Sequence, residues 1–168
     1  MDLDDEEFEE LRRVDGLRSD NPVLRAWLER QRGAFEGWRV RHEGVWDFRP
    51  DSLDRLEDLV RASYGSYEEA RADEDGDLLP VAAWYTGEVH NRHFGTVWQY
   101  HPDSPAAPGP RIRPFVTPPW DRLFDYRDED GIEDDARPKF TPMEALFRVL
   151  VPADTLPLRD GSRYEPTN

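Results

Sequence analysis

Apolar residues return at helical spacing along five stretches of this chain, and each stretch is bordered by residues that start or stop helices. Leu3 to Arg13 places Phe8 and Leu11 on one side behind an acidic first turn, which suits the positive end of a helix dipole. Asn21-Pro22 opens a second helix: Asp20 or Asn21 can cap it, and Pro22 fits its first turn. Val23, Leu24, Trp27 and Leu28 form its stripe, and Gly33 is expected to end it. After Arg49-Pro50-Asp51-Ser52, with Asp51 or Ser52 as cap, comes the stripe Leu53, Leu56, Leu59 and Val60. Asp77 is the expected cap of a fourth helix carrying Val81, Ala82, Tyr85 and Val89, which Gly95 can close in the left-handed conformation. Thr141-Pro142-Met143-Glu144 has the Thr-x-x-Glu capping-box spacing ahead of Leu146, Phe147, Val149 and Leu150.

Between these helices the period changes. Gly37 to Phe48 has the aromatic and β-branched content of a strand, or of a hairpin turning at Glu43-Gly44. Thr96 to Tyr100 alternates as a half-buried strand does, and Arg111 to Thr117 reads as a second strand, placed at an edge by Pro114. Pro102 to Pro110, with four prolines, is expected to be a loop. The expected fold is therefore α+β: a single domain of helices packed on a small, mainly antiparallel sheet. Residues 1–19 form an acidic N-terminal arm or short helix, 20–151 the domain, and 152–168 a loosely packed tail poor in apolar residues.

Composition narrows the choice of partner. The 168 residues include 37 Asp or Glu against 22 Lys or Arg, for a formal charge of −15, and no Cys. That excludes disulfides and thiolate metal sites, and 20 aromatic residues argue against a disordered chain. So negative a chain is repelled by nucleic acid and by anionic membrane surfaces. The acidic N-terminus is unlike a secretory signal, and the apolar run Leu78 to Tyr85 is too short to span a membrane, so a cytoplasmic protein is expected.

The charge is concentrated in three places. Residues 1–10 hold seven acids and no base, 66–77 six acids and Arg71, and 121–137 eight acids and three Arg. Together they carry −17 and leave the remaining residues at +2. Such runs are commonly plain solvated faces. The sharper reading is a surface for a basic protein partner, built from Asp128, Glu129, Asp130, Glu133, Asp134 and Asp135 with Trp120 as an aromatic anchor. That reading requires the acidic segments to converge.

The segment Trp84 to Trp98 is richest in polar chemistry. Gly87 within a helix implies a close approach by another element, and Glu88 is one turn from Arg92, its expected ion-pair partner. Glu88, His90, Arg92 and His93 also form a polar cluster worth testing: a carboxylate beside imidazoles suits acid–base work, and His90 and His93 could share a metal with Glu88 or His101. No His-Glu-x-x-His, phosphate-loop, nucleophile-elbow or EF-hand pattern accompanies it. No catalytic residue, cofactor or metal is assigned on these signals.

The order Ser52-Leu53-x-x-Leu56-Glu57, then Trp84-Tyr85-x-Gly87-Glu88-x-x-x-Arg92-His93-x-Gly95-x-x-Trp98, then a strand and a closing helix, resembles small actinobacterial domains of unknown function. Some such domains look like presumed toxin-immunity proteins. The resemblance covers roughly residues 45–101 and, more weakly, 111–151; it implies an α+β fold and binding rather than chemistry, and carries no catalytic residues. The leading expectation is a non-enzymatic binding protein, an immunity-type inhibitor that engages a basic partner. The alternatives are a small metal-dependent or acid–base enzyme using Glu88, His90 and His93, and an assembly subunit docking through Trp120 and the Pro-rich loop.

Overall fold

In a computed structural model of the chain, residues 4–101, 111–126, 135–151 and 156–167 are described. The first element, α1 (Asp5–Ser19), starts with a complete capping box: Asp4 accepts from the Glu7 backbone N–H and the Glu7 carboxylate accepts from the Asp4 N–H. Helix α2 (Pro22–Arg41) is capped by Asn21, whose side-chain oxygen accepts from the Val23 and Leu24 N–H groups. Helices α3 (Pro50–Ser63), α4 (Tyr67–Ala72) and α5 (Leu79–Phe94) follow, then β1 (Val97–Gln99), β2 (Phe115–Thr117) and α6 (Pro142–Arg148). Short 3-10 turns cover Trp120–Asp125 and Ser162–Tyr164. The result is a single-domain α+β fold of six helices and a two-stranded antiparallel sheet among the described residues.

Helix α5 is the axis of the molecule. Its buried positions, Leu79, Val81 to Gly87, Val89 and His90, run around its circumference, because α2, α3, α6 and both strands pack against it. It ends as expected at Gly95, in the left-handed region with φ 69°. Gly87 also has the expected role, since a Cβ there would lie 2.2 Å from the Trp98 ring. In the sheet, Val97 pairs with Thr117, Trp98 with Val116 and Gln99 with Phe115.

Several expectations are corrected. Residues Gly37 to Arg41 are neither strand nor hairpin, and Gly33 does not stop α2. Trp27, Gln31 and Trp38 continue one helical face into the core, while Gly33 and Gly37 lie on the exposed side, where each costs only about 1 kcal/mol of propensity. Strand β2 begins after Pro114, which has no N–H for the ladder, and it is not an edge: Val116 exchanges backbone hydrogen bonds with Phe140 on its other side. Neither Asp77 nor Asp51 caps a helix, and Ser52 sits inside α3 with its hydroxyl on the Arg49 carbonyl. Thr141 makes no capping bond either, and the Glu144 carboxylate, the other half of the expected box, is held by Arg113.

The segment 156–167 is not a loose tail. Leu158 and Tyr164 are buried in the same core as α5 and α6. The Tyr164 carbonyl accepts from the Tyr126 hydroxyl at 2.6 Å and from Arg122 at 3.2 Å, and the Thr167 N–H donates to the Asp125 carbonyl. The Pro-rich loop, Pro102 to Pro110, lies outside the described residues. No helix among the described residues is long and apolar enough to cross a membrane.

Candidate functional site

The helical period separates the predicted polar cluster. At about 100° per residue, Glu88 and His90 project from opposite sides of α5. Half-buried Glu88 accepts from the Trp98 indole N–H at 3.0 Å and does not pair with Arg92. Arg92 is exposed, with its guanidinium 3.7 Å above the centre of the Phe48 ring, a cation–π contact. His93 is exposed. His90 is fully buried, stacked on Phe140 at 4.3 Å between ring centres.

Both His90 ring nitrogens have partners. The Leu158 carbonyl, 2.7 Å from Nε2, can only accept, so Nε2 carries the proton. Nδ1 then accepts from the Tyr164 hydroxyl at 2.8 Å. Burial pushes the His90 pKa down to about 4, the Leu158 hydrogen bond opposing and the Arg163 charge assisting. His90 is thus a neutral, two-sided tie between α5 and the 156–164 segment. Among the described residues no group of three His, Asp or Glu is placed to hold a metal ion.

The acidic segments follow a different geometry. Phe8 of α1 lies 5.4 Å from Trp120 and 5.9 Å from Phe124, ring centre to ring centre, so the carboxylate-rich first turns of α1 stand beside the Trp120–Asp125 turn. Asp4, Asp5, Glu6, Glu7, Glu9 and Glu10 are all exposed, as is Asp121. Phe124 keeps 49% of its surface in solvent and Trp120 is half-buried. The described parts of two acidic segments, residues 4–10 and 121–125, therefore lie side by side at an aromatic patch, with Asp4 and Asp5 on the Phe8 side of α1.

A buried guanidinium fixes this arrangement. Arg137, 4% exposed, donates to Asp15 of α1 at 2.6 Å, to Asp135 at 2.7 Å and to the Pro118 carbonyl at 2.9 Å. Burial alone would raise the Asp135 pKa, but the Arg137 hydrogen bonds and charge outweigh it and hold the carboxyl below its ordinary value. Asp135 is accordingly part of the tie that holds the surface together. Gln99 of β1 adds a bond to Asp15 at 2.7 Å.

The third segment, 66–77, packs elsewhere. Tyr67 of α4 meets Phe147 of α6, and Glu74, 3% exposed, is enclosed by Arg111 and by Nε and Nη2 of Arg113. Of the residues predicted to meet a partner, Trp120 and Asp135 are placed as above. Asp128, Glu129, Asp130, Glu133 and Asp134 lie outside the described residues. Sequence reasoning missed Phe8 and Phe124 as surface aromatics. Their signal was an isolated Phe inside an acidic run and a Phe one helical turn after Trp120.

Compared with protein-family models, curated proteins and solved structures, the chain matches none.

Proposed function

We propose that this chain is a non-enzymatic binding protein that engages a basic protein partner, in the manner of an immunity-type inhibitor. Its contact surface is α1 together with the Trp120–Asp125 turn. The observation that supports this reading is the packing of Phe8 against Trp120 and Phe124, which sets an aromatic patch beside the exposed carboxylates of Asp4, Asp5 and Asp121. Aromatic anchors with a charged rim are the usual anatomy of a specific interface. The carboxylates steer a basic partner and exclude acidic ones, and the rings supply desolvated contact area. Cytoplasmic residence belongs to the same proposal.

The dispersal of Glu88, His90 and His93 around α5 leaves the enzymatic alternative without a geometric basis in that cluster. The test is retention of basic proteins, of pI above about 9, from a bacterial lysate on immobilised full chain at low salt. The expected result is a discrete set that elutes with added salt and is lost when Trp120→Ala is combined with Asp4→Asn, Asp5→Asn and Asp121→Asn. Retention that resists salt, or an unchanged set on the variant, would overturn the proposal.

A further inference from the structure

Helix α2 carries a buried amide with nothing to bond. Gln31 is 5% exposed, and its side chain makes no hydrogen bond among the described residues. An amide in that position is costly unless a partner reaches it. The Gln31 amide can be reached: it is not among the sealed, unpartnered atoms such as Trp84 Nε1, and the residue lines a cavity of about 350 Å³ between α2 and the 75–81 segment. The accessible surface left to Gln31 therefore opens on the cavity and not on a dry core.

The two walls of this cavity carry opposite charges. Arg30 and Arg41 line it from α2, and Asp75 and Asp77 from the turn before α5. None of the four takes part in an ion pair among the described residues. The acidic wall is fixed in place: Glu74 is held inward by Arg111 and Arg113, and the Gly76 N–H donates to the Asp73 carbonyl at 2.9 Å, which leaves Asp75 and Asp77 exposed. On α2, Gly37 leaves room for Arg41, whose Nη1 lies 3.4 Å from where a Cβ would stand. The Arg41 side chain thus folds back one turn in the direction of Gln31.

We propose that this cavity binds a free dipeptide. Such a ligand presents an ammonium, a carboxylate and, between them, one peptide group. The ammonium suits Asp75 and Asp77, the carboxylate suits Arg30 and Arg41, and the peptide C=O and N–H supply the acceptor and donor that the Gln31 amide lacks. A single amino acid carries both charges but leaves Gln31 unpaired. A longer peptide separates its charges too far for a cavity at the small end of ligand sites. Trp27, Val81 and Ile112 add apolar surface for a side chain. The site shares no residue with the α1 surface, so it stands apart from the partner proposed there.

The test is titration calorimetry of the full chain with alanyl-leucine at low ionic strength. Saturable binding is expected, and leucine, N-acetyl-alanyl-leucine and alanyl-leucine amide should each bind about tenfold more weakly. Gln31→Leu should weaken binding about tenfold while leaving the denaturant midpoint unchanged or raised, which separates a lost contact from a lost fold. Asp75→Asn combined with Asp77→Asn, and Arg30→Gln combined with Arg41→Gln, should each weaken binding by about as much. Arg32→Gln, on α2 but outside the cavity, should leave it unchanged. Absence of saturable binding, leucine or either blocked peptide binding as tightly as the dipeptide, or an unaltered affinity or lowered midpoint in Gln31→Leu would each overturn the proposal.

Discussion

His90 offers a quantitative test of how the core is closed. Folding places its neutral ring between the Leu158 carbonyl and the Tyr164 hydroxyl, and burial lowers its pKa from 6.5 to about 4. Below pH 6.5 the unfolded chain takes up a proton at this ring that the folded chain refuses. The His90 contribution is therefore complete above the unfolded pKa and is lost as pH falls toward the folded one. At 1.36 kcal/mol per pH unit, the full loss amounts to about 3 kcal/mol, of which about 2 kcal/mol is gone by pH 5. The chain's many carboxylates begin to titrate near the bottom of the same window, so the His90 share is isolated by difference. Urea unfolding followed by far-ultraviolet circular dichroism would be run on the native chain and on His90→Gln at pH 8 and pH 5. The variant is less stable at pH 8, and the gap should narrow by about 2 kcal/mol at pH 5. A gap that stays constant between the two pH values would refute the assignment of a buried, neutral His90.

Gly87→Ala should destabilise the chain by about 1–3 kcal/mol despite the better helix propensity of Ala, because the new methyl would collide with the Trp98 ring and displace it from Glu88; denaturant midpoints check this, and an unchanged or raised midpoint would contradict the packing described. Arg137→Met should cost about 3–5 kcal/mol by removing the guanidinium that neutralises Asp15 and Asp135 at partly buried positions. Amide hydrogen exchange should then show α1 less protected in the variant than in the native chain while α5 keeps its protection, and unchanged protection of α1 would count against Arg137 as the tie.

The helices that pack one clear stripe were the legible part of the sequence. The Leu53, Leu56 and Val60 stripe, the α5 stop at Gly95 and the Asn21 cap all rest on local spacing and backbone geometry, which a single chain displays. Continuation of α2 was illegible because its aromatic, glycine-punctuated second half resembles a strand in composition, and only the spacing of Trp27, Gln31, Ala34 and Trp38 reveals the helical phase. The Thr-x-x-Glu spacing at Thr141 did not close a capping box, and its Glu144 carboxylate is held by Arg113 from another part of the chain. The polar cluster on α5 looked like chemistry because its members are adjacent in sequence. Their separation is set by helix rotation, and the burial of His90 by Leu158 and Tyr164, two apolar positions in a polar segment with no periodicity to announce them.

The distribution of tryptophan around the core has a practical consequence. Trp27, Trp38, Trp46, Trp84 and Trp98 are each no more than 9% exposed, and Trp120 alone is half-buried, seated in the proposed contact surface with Arg137 5.3 Å from its ring centre. A water-borne collisional quencher therefore meets one indole out of six. The native emission of the chain is a site-specific reporter, in which the quenchable fraction belongs to Trp120 and shrinks when a partner covers that face. With no cysteine in the sequence, the measurement needs no label and suffers no thiol side reaction.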